Sequence, residues 1–230
     1  MKFIADSEHL RYFSEHKTIE FDDLISPVRL DEINDEIDQV LSKRTGAKKS
    51  LVNSFPPAEI YPYARDLWQD SDIIKKFDCQ NRFAELILSL IDSRKFILGF
   101  DQLLVPEPES KMDMASYYSS AFPKPGILEE LSCVHGIHCS LIICLQGETS
   151  EPLGFFPQYP GSVTVVSPEM EFDFGQLEHN HHQRFLLVTY AQPDAMYLYR
   201  EGDPNTHFCK NLGYVFGDKL FQKGHPYLRL

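Results

Sequence analysis

The residues with the most obvious chemical potential lie between Leu177 and Tyr190. His179, His181 and His182 stand just ahead of Arg184, which opens the apolar run Phe185-Leu-Leu-Val-Thr-Tyr190. Side chains at i and i+2 leave the same face of an extended chain. His179 and His181 could therefore share a divalent metal at the end of a strand, and Arg184 could grip a carboxylate with its planar fork of donors. A second pair, His135 and His138, precedes the apolar run Leu141-Ile-Ile-Cys-Leu145. Their offset of three places them on opposite faces of an extended strand, so they converge only at a bend, which Gly136 would allow.

A non-heme iron site needs an anionic oxygen beside its imidazoles. Two positions after His135 stands Ile137, two after His138 stands Ser140, and no aspartate occurs between Asp113 and Asp173. A His-x-Asp pair is absent. The carboxylates left to complete a site are Asp173, shortly before the histidine cluster, and Asp101, distant in the chain. Cys133 and His135 lack the orienting third group of a nucleophilic dyad. Neither a phosphate-binding glycine loop nor Gly-x-Ser-x-Gly is present.

The elements that must position these residues change character near Arg94. Ser26-Pro27 reads as a helix start, a capping residue followed by a proline suited to the first turn. Behind it Leu30, Ile33, Ile37, Val40 and Leu41 recur at steps of three and four, with acids on the other face, which predicts an amphipathic helix of about four turns. Residues 44–60, with Gly46, Asn53, Pro56 and Pro57, read as a loop. Tyr63 to Phe77 reads as one or two short helices with Ser71-Asp72 as a cap. Asn81 to Ser93 reads as a helix with Phe83, Leu86, Ile87, Leu90 and Ile91 inward. Lys95 to Val105 is rich in β-formers, and 106–126 reads as loop. Strands are expected near 131–145, 161–167, 184–191 and 196–200. Gly213 and Gly217 bracket Tyr-Val-Phe as a short strand between tight turns, and the polar tail beginning at Asp203-Pro-Asn-Thr-His207 could close the mouth of a barrel. Helices first and strands later predict an α+β fold in which N-terminal helices pack on a sandwich or barrel.

Composition narrows the function. With 230 residues, 43% of them hydrophobic, the chain is long enough to fill one core or two small ones. A formal charge of −12, from 22 basic and 34 acidic residues, opposes nucleic-acid binding through a broad basic face. Cys79, Cys133, Cys139, Cys144 and Cys209 are odd in number and form no Cys-x-x-Cys, which suits a reducing compartment and buried hydrophobic roles. The first residues turn polar too soon for a signal peptide, and no apolar run approaches the ~20 residues of a membrane span. A cytoplasmic location is expected.

Several segments, in order along residues 9–192, resemble the phytanoyl-CoA dioxygenase-like proteins. They are Tyr12-Phe-Ser-Glu-His-Lys-Thr-Ile-Glu-Phe-Asp-Asp-Leu-Ile-Ser-Pro27 leading into a helix, Arg65-Asp-Leu-Trp68, Leu98-Gly-Phe-Asp-Gln-Leu-Leu104, the run Leu141–Leu145, Phe156-Pro157 and Pro160-Gly-Ser162. The resemblance implies a double-stranded β-helix (jelly roll), here one domain over 1–230 with a helical part to about 94 and a β-rich part after it. In active members it implies Fe(II) held by His-x-Asp and a distal His, with 2-oxoglutarate held by an arginine about ten positions after that His. Counting back from Arg184 reaches Asp173 or Phe174, not a histidine. The expectation is therefore a divergent member without the iron triad and without a cofactor, binding a small-molecule ligand or a protein partner. The alternative is an active Fe(II)/2-oxoglutarate-dependent hydroxylase. Its displaced metal ligands would come from His135, His138, His179, His181 and Asp173 or Asp101, and Arg184 would bind the cosubstrate.

Overall fold

The computed structural model describes residues 6–91, 95–107, 116–148, 153–179 and 182–228. In chain order its α-helices are α1 Ser7–His16, α2 Pro27–Thr45, α3 Lys49–Val52, α4 Pro57–Ile60, α5 Asp72–Asp78, α6 Asn81–Leu90, α7 Tyr117–Ala121, α8 Leu128–Leu131 and α9 Asn205–Asn211. The strands are β1 Thr18–Phe21, β2 Phe96–Leu104, β3 Gly126–Ile127, β4 Val134–Gln146, β5 Val163–Val166, β6 Glu171–Phe172, β7 Arg184–Tyr197 and β8 Tyr227–Leu228. Six strands form an antiparallel sheet in the order β1-β5-β4-β7-β2-β8, and β3 pairs with β6 in a second, two-stranded sheet. The result is the α+β jelly roll expected from sequence, a curled sheet with helices on one face and the small sheet on the other. None of the described helices is long and apolar enough to cross a membrane.

The sequence pattern accounts for most elements. In α2 the buried residues are Leu30, Ile33, Ile37, Val40 and Leu41, the stripe read from spacing, each contributing roughly 1.5–3 kcal/mol of burial. Pro27 stands in its first turn and Gly46, at φ 72°, ends it, but Ser26 makes no side-chain cap bond. Ser71 does cap α5, accepting from the amides of Ile73 and Ile74. β4 and β7 lie at the centre of the sheet and are buried on both faces over much of their length, which is why they read as near-continuous apolar runs.

Other expectations are corrected. The strands expected at 184–191 and 196–200 are one strand, β7, because β4 offers a continuous ladder from Gln146 opposite Arg184 to Val134 opposite Tyr197. The helical half also supplies an edge strand, β1, between α1 and α2, in the helix–strand–helix order that the resemblance over Tyr12 to Pro27 implies, with Ile19 and Phe21 buried in the main sheet's core. The loop expected at 44–60 contains α3 and α4, and that at 106–126 contains α7. Tyr-Val-Phe between Gly213 and Gly217 is not a strand. Both glycines have positive φ, and Tyr214 turns inward, where its hydroxyl meets the His225 ring at 2.6 Å and accepts from Gln69 at 3.1 Å.

Candidate functional site

Alternation along the central strands sorts every candidate residue onto one of two faces. Leu186, Val188 and Tyr190 of β7 enter the core shared with the helices, whereas Phe185, Leu187 and Ala191 enter the core between the two sheets. Arg184 has the parity of Leu186, and its contacts agree. Its guanidinium donates to Asp38 Oδ1 at 2.7 Å and to Asn34 Oδ1 at 3.2 Å, both on α2. Burial lowers the Arg184 pKa and the Asp38 carboxylate opposes that shift. The residue expected to hold a cosubstrate is thus bound to a helix on the covered side of the sheet.

His135 and His138 stand apart. His135 sits at the far end of the ladder, opposite Met196, eleven residues or roughly 35 Å of strand from the Arg184 end. Its ring is half exposed, with Nδ1 2.5 Å from Glu129 Oε1. Gly136, at φ 87° and with Ala195 3.2 Å from where a Cβ would stand, makes the bend allowed for in the sequence, and the register shifts there and again between Ile137 and Cys139. The bend does not direct His138 to a common centre with His135. The His138 ring lies 6.2 Å from that of Phe96 and nearly parallel to it, and Phe96 belongs to the helix-side core. Burial pushes the His138 pKa down, and its Nε2 is buried without a partner.

The carboxylates are committed elsewhere. Asp173 accepts from the amide of Gly175 at 3.0 Å, at the start of the 3-10 helix Phe174–His179. Asp101 is fully buried and accepts from the amides of Leu67 and Trp68 at 2.7 and 2.9 Å. Ser140, the small residue two after His138, shares a 3.1 Å hydrogen bond with Thr189 across the ladder. The side chain of His179 and the whole of His181 lie outside the described residues, and His182 is exposed. Among the described residues no three His, Cys, Asp or Glu side chains gather to hold a metal ion. The donor set described does not fit an iron triad.

The space between the sheets holds a polar group that sequence reading missed. Arg65 follows the 3-10 helix Tyr61–Ala64 and bridges to Gln102 of β2. Its guanidinium carbon lies 3.4 Å from the centre of the Phe100 ring, and the residue is 2% exposed. Desolvation alone would lower its pKa, but Asp66 and Asp203 are among the acidic neighbours that more than offset this. Gln102 Nε2 donates to the carbonyl of Tyr61, and its Oε1 accepts from Asn205. Asp203 is also buried. Its Oδ2 accepts from the amide of Cys133 at 2.7 Å and its Oδ1 from that of Asn205 at 2.8 Å. Arg65 and Asp203 line one small cavity with Tyr61, Phe100, Phe122 and Phe174. Both had been noticed in the sequence for other reasons, Arg65 within a segment of family likeness and Asp203 at the start of a tail able to close the barrel. Nothing local marks them as a pair 138 positions apart.

No family model and no curated protein sequence matches the chain. Solved structures do share its fold. The non-heme alpha ketoglutarate dependent carbocyclase SnoK from nogalamycin biosynthesis has a TM-score of 0.62 at 14% identity, over 94% of this chain and 93% of its own. The epimerase SnoN, solved with Fe3+, alpha ketoglutarate and nogalamycin RO, has a TM-score of 0.59 at 12% identity, over 97% and 100%. EctD from S. alaskensis with bound Fe has a TM-score of 0.52 at 10% identity, over 87% and 81%. The chain therefore shares the jelly-roll fold of these solved structures.

Proposed function

We propose that this chain uses the oxygenase jelly roll as a binding scaffold, taking a small molecule between its two sheets without iron-dependent oxidation. The observation that carries this reading is the side of the sheet on which the expected ligands fall. His138 stacks on Phe96 in the helix-side core, and Arg184 is bound to Asp38 on α2. His135 pairs with Glu129 at the strand's exposed end. A selective Fe(II) site needs three donors fixed around one point, and isolated imidazoles bind divalent metals weakly. The space between the sheets is instead lined by aromatic walls with a few polar groups, the lining of a small-molecule site, around a cavity that holds about one water.

The test is to supply purified protein with Fe(II) and 2-oxoglutarate and to follow succinate formation and oxygen uptake, with anaerobic Mn(II) calorimetry in parallel. The expected result is no turnover above a protein-free control and no stoichiometric metal binding. Turnover would instead establish an active oxygenase and overturn this reading.

A further inference from the structure

Two exposed features at opposite ends of the central strands complement one another in charge and polarity. The first is a knob. Val215 and Phe216 sit on a turn between Gly213 and Gly217, and they are 65% and 37% exposed. The turn is held from within. Asp218 donates its amide to the Val215 carbonyl at 2.9 Å, and its Oδ2 accepts from the Val215 amide at 2.8 Å. Tyr197 stacks on Phe216 with ring centres 5.2 Å apart, and the exposed Tyr199 ring lies edge-on to Phe216 at 5.6 Å. Lys210 Nζ lies 4.4 Å from the centre of the Phe216 ring, and Lys219 is exposed three residues beyond it. Among the described residues neither lysine forms an ion pair within 4.0 Å, although the chain carries 34 acids against 22 basic residues. Exposed apolar side chains rimmed by polar ones mark an interaction surface.

The second feature is a groove. An open cavity of about 510 Å³ lies between α2 and the end of β4. Leu30, Leu145 and Pro160 contribute apolar lining, and Asp31, Asp35 and Asp38 line it from α2, where steps of three and four share one helix face. Asp38 is paired with Arg184 and Asp35 with Lys49, and each carboxylate oxygen can accept a further bond. Asp31 is exposed and, among the described residues, in no ion pair. A volume of this size seats a compact ligand or a few side chains.

The two features cannot meet within one molecule. The knob packs on Tyr197, which pairs with Val134, and the groove is lined by Gln146, which pairs with Arg184. Twelve residues of β4, roughly 40 Å of strand, separate those two ends of the ladder.

We propose that the groove takes the Val215–Phe216 knob of a second copy of this chain, with Lys210 and Lys219 facing Asp31 and Asp35. Because knob and groove stand at opposite ends, two copies lying antiparallel can make both contacts at once, the self-complementary arrangement of a two-fold dimer. The net charge of −12 repels two copies at a distance. In physiological salt that repulsion is screened beyond about 8 Å, and the charges at the contact dominate. The contact is independent of any ligand between the sheets.

Sedimentation velocity in about 0.15 M salt, over about a hundredfold range of protein concentration, tests the contact. The wild type is expected to pass from one chain to two as concentration rises. Val215→Ser removes an apolar side chain from the knob and should weaken association about tenfold. Lys210→Glu with Lys219→Glu should abolish it, as should Asp31→Lys with Asp35→Lys, and the four changes together should restore it. All five positions are exposed, so thermal melts of the variants should stay close to that of the wild type.

A wild type that remains a single chain across the whole range would overturn the proposal. Association that Val215→Ser and both charge reversals leave unchanged would also overturn it, by placing the contact on another surface. Charge reversals that the fourfold exchange does not rescue would show that these lysines and aspartates do not face one another. Growth past two chains would overturn the two-fold arrangement.

Discussion

Arg184 and Arg65 are both buried, yet they lie in opposite kinds of surroundings. Arg184 leaves the sheet on the helix-covered face, where Asp38 and Asn34 of α2 receive its guanidinium. Arg65 lies between the sheets against an aromatic ring, with a carboxylate nearby but none in contact. Arg184 is neutralised by direct contact, whereas Arg65 is kept charged through space by neighbours that include Asp66 and Asp203. By sequence alone Arg184 was the stronger candidate, because it follows three histidines and opens a strand. The tertiary structure instead commits Arg184 to α2 and places Arg65 in the space between the sheets.

The largest expected effect comes from breaking the satisfied pair. Asp38→Ala leaves Arg184 buried without its anion and should cost about 3–5 kcal/mol in a denaturant titration. A loss below about 1 kcal/mol would mean that Arg184 is less committed to α2 than its contacts indicate.

A second test concerns buried charges of like sign. Asp78 and Asp101 are both fully buried on the helix side. Burial and their mutual repulsion raise the Asp78 pKa, and burial, with Asp66 adding to it, raises Asp101 from 3.8 to about 6. With both ionised, neither Asp78 oxygen has a hydrogen-bond donor, and a shared proton supplies one. The folded chain then holds a proton that the unfolded chain releases, so stability falls as pH rises from 3.8 through about 6. By linkage the Asp101 shift alone corresponds to about 3 kcal/mol. Asp78→Asn places an amide donor beside Asp101. It should flatten this pH dependence and stabilise the protein at pH 7, as read from unfolding midpoints across pH 4–8. An unchanged pH profile would show that the two acids do not share a proton.

Smaller effects sharpen the contrast between the arginines. Arg65→Met removes the cation that faces the buried Asp66 and Asp203 carboxylates, and it should lower stability by about 1–3 kcal/mol in a denaturant titration. Glu129→Gln breaks a pair in which the His135 and Glu129 side chains are 47% and 27% exposed, and it should change stability by about 0–1 kcal/mol. A larger loss would give His135 a structural role that its exposure does not suggest.

Much of the architecture could be read locally. The α2 stripe follows from one period, the Ser71 cap from one residue type, and the inner strands from runs too apolar to be exposed on either face. The long β7 was divided in expectation because Gln192, Pro193 and Asp194 look like a turn, while β4 continues to pair up to Tyr197. The Gly213–Gly217 segment looked like a strand because bracketing glycines do not say where Tyr214 will find its partner, and His225 supplies it. The candidate site was less legible than the fold. Residue types and spacing identified His135, His138, Asp173 and Arg184 as able to bind, but His138 and Arg184 take their contacts from distant elements, and Asp173 turns to the amide of Gly175.

The sequence by itself determined the periodic elements, their order, the α+β class and the absence of a His-x-Asp pair, because each depends on neighbours within a few positions. Only the tertiary structure decided which face each polar side chain occupies, since bulges at Gly136 and near His138 shift the alternation in ways no local pattern records. It also decided which buried charges are neutralised. Coulomb interaction depends on distance through space, and Asp38 lies 146 positions from Arg184 along the chain but within a hydrogen bond of it in the fold.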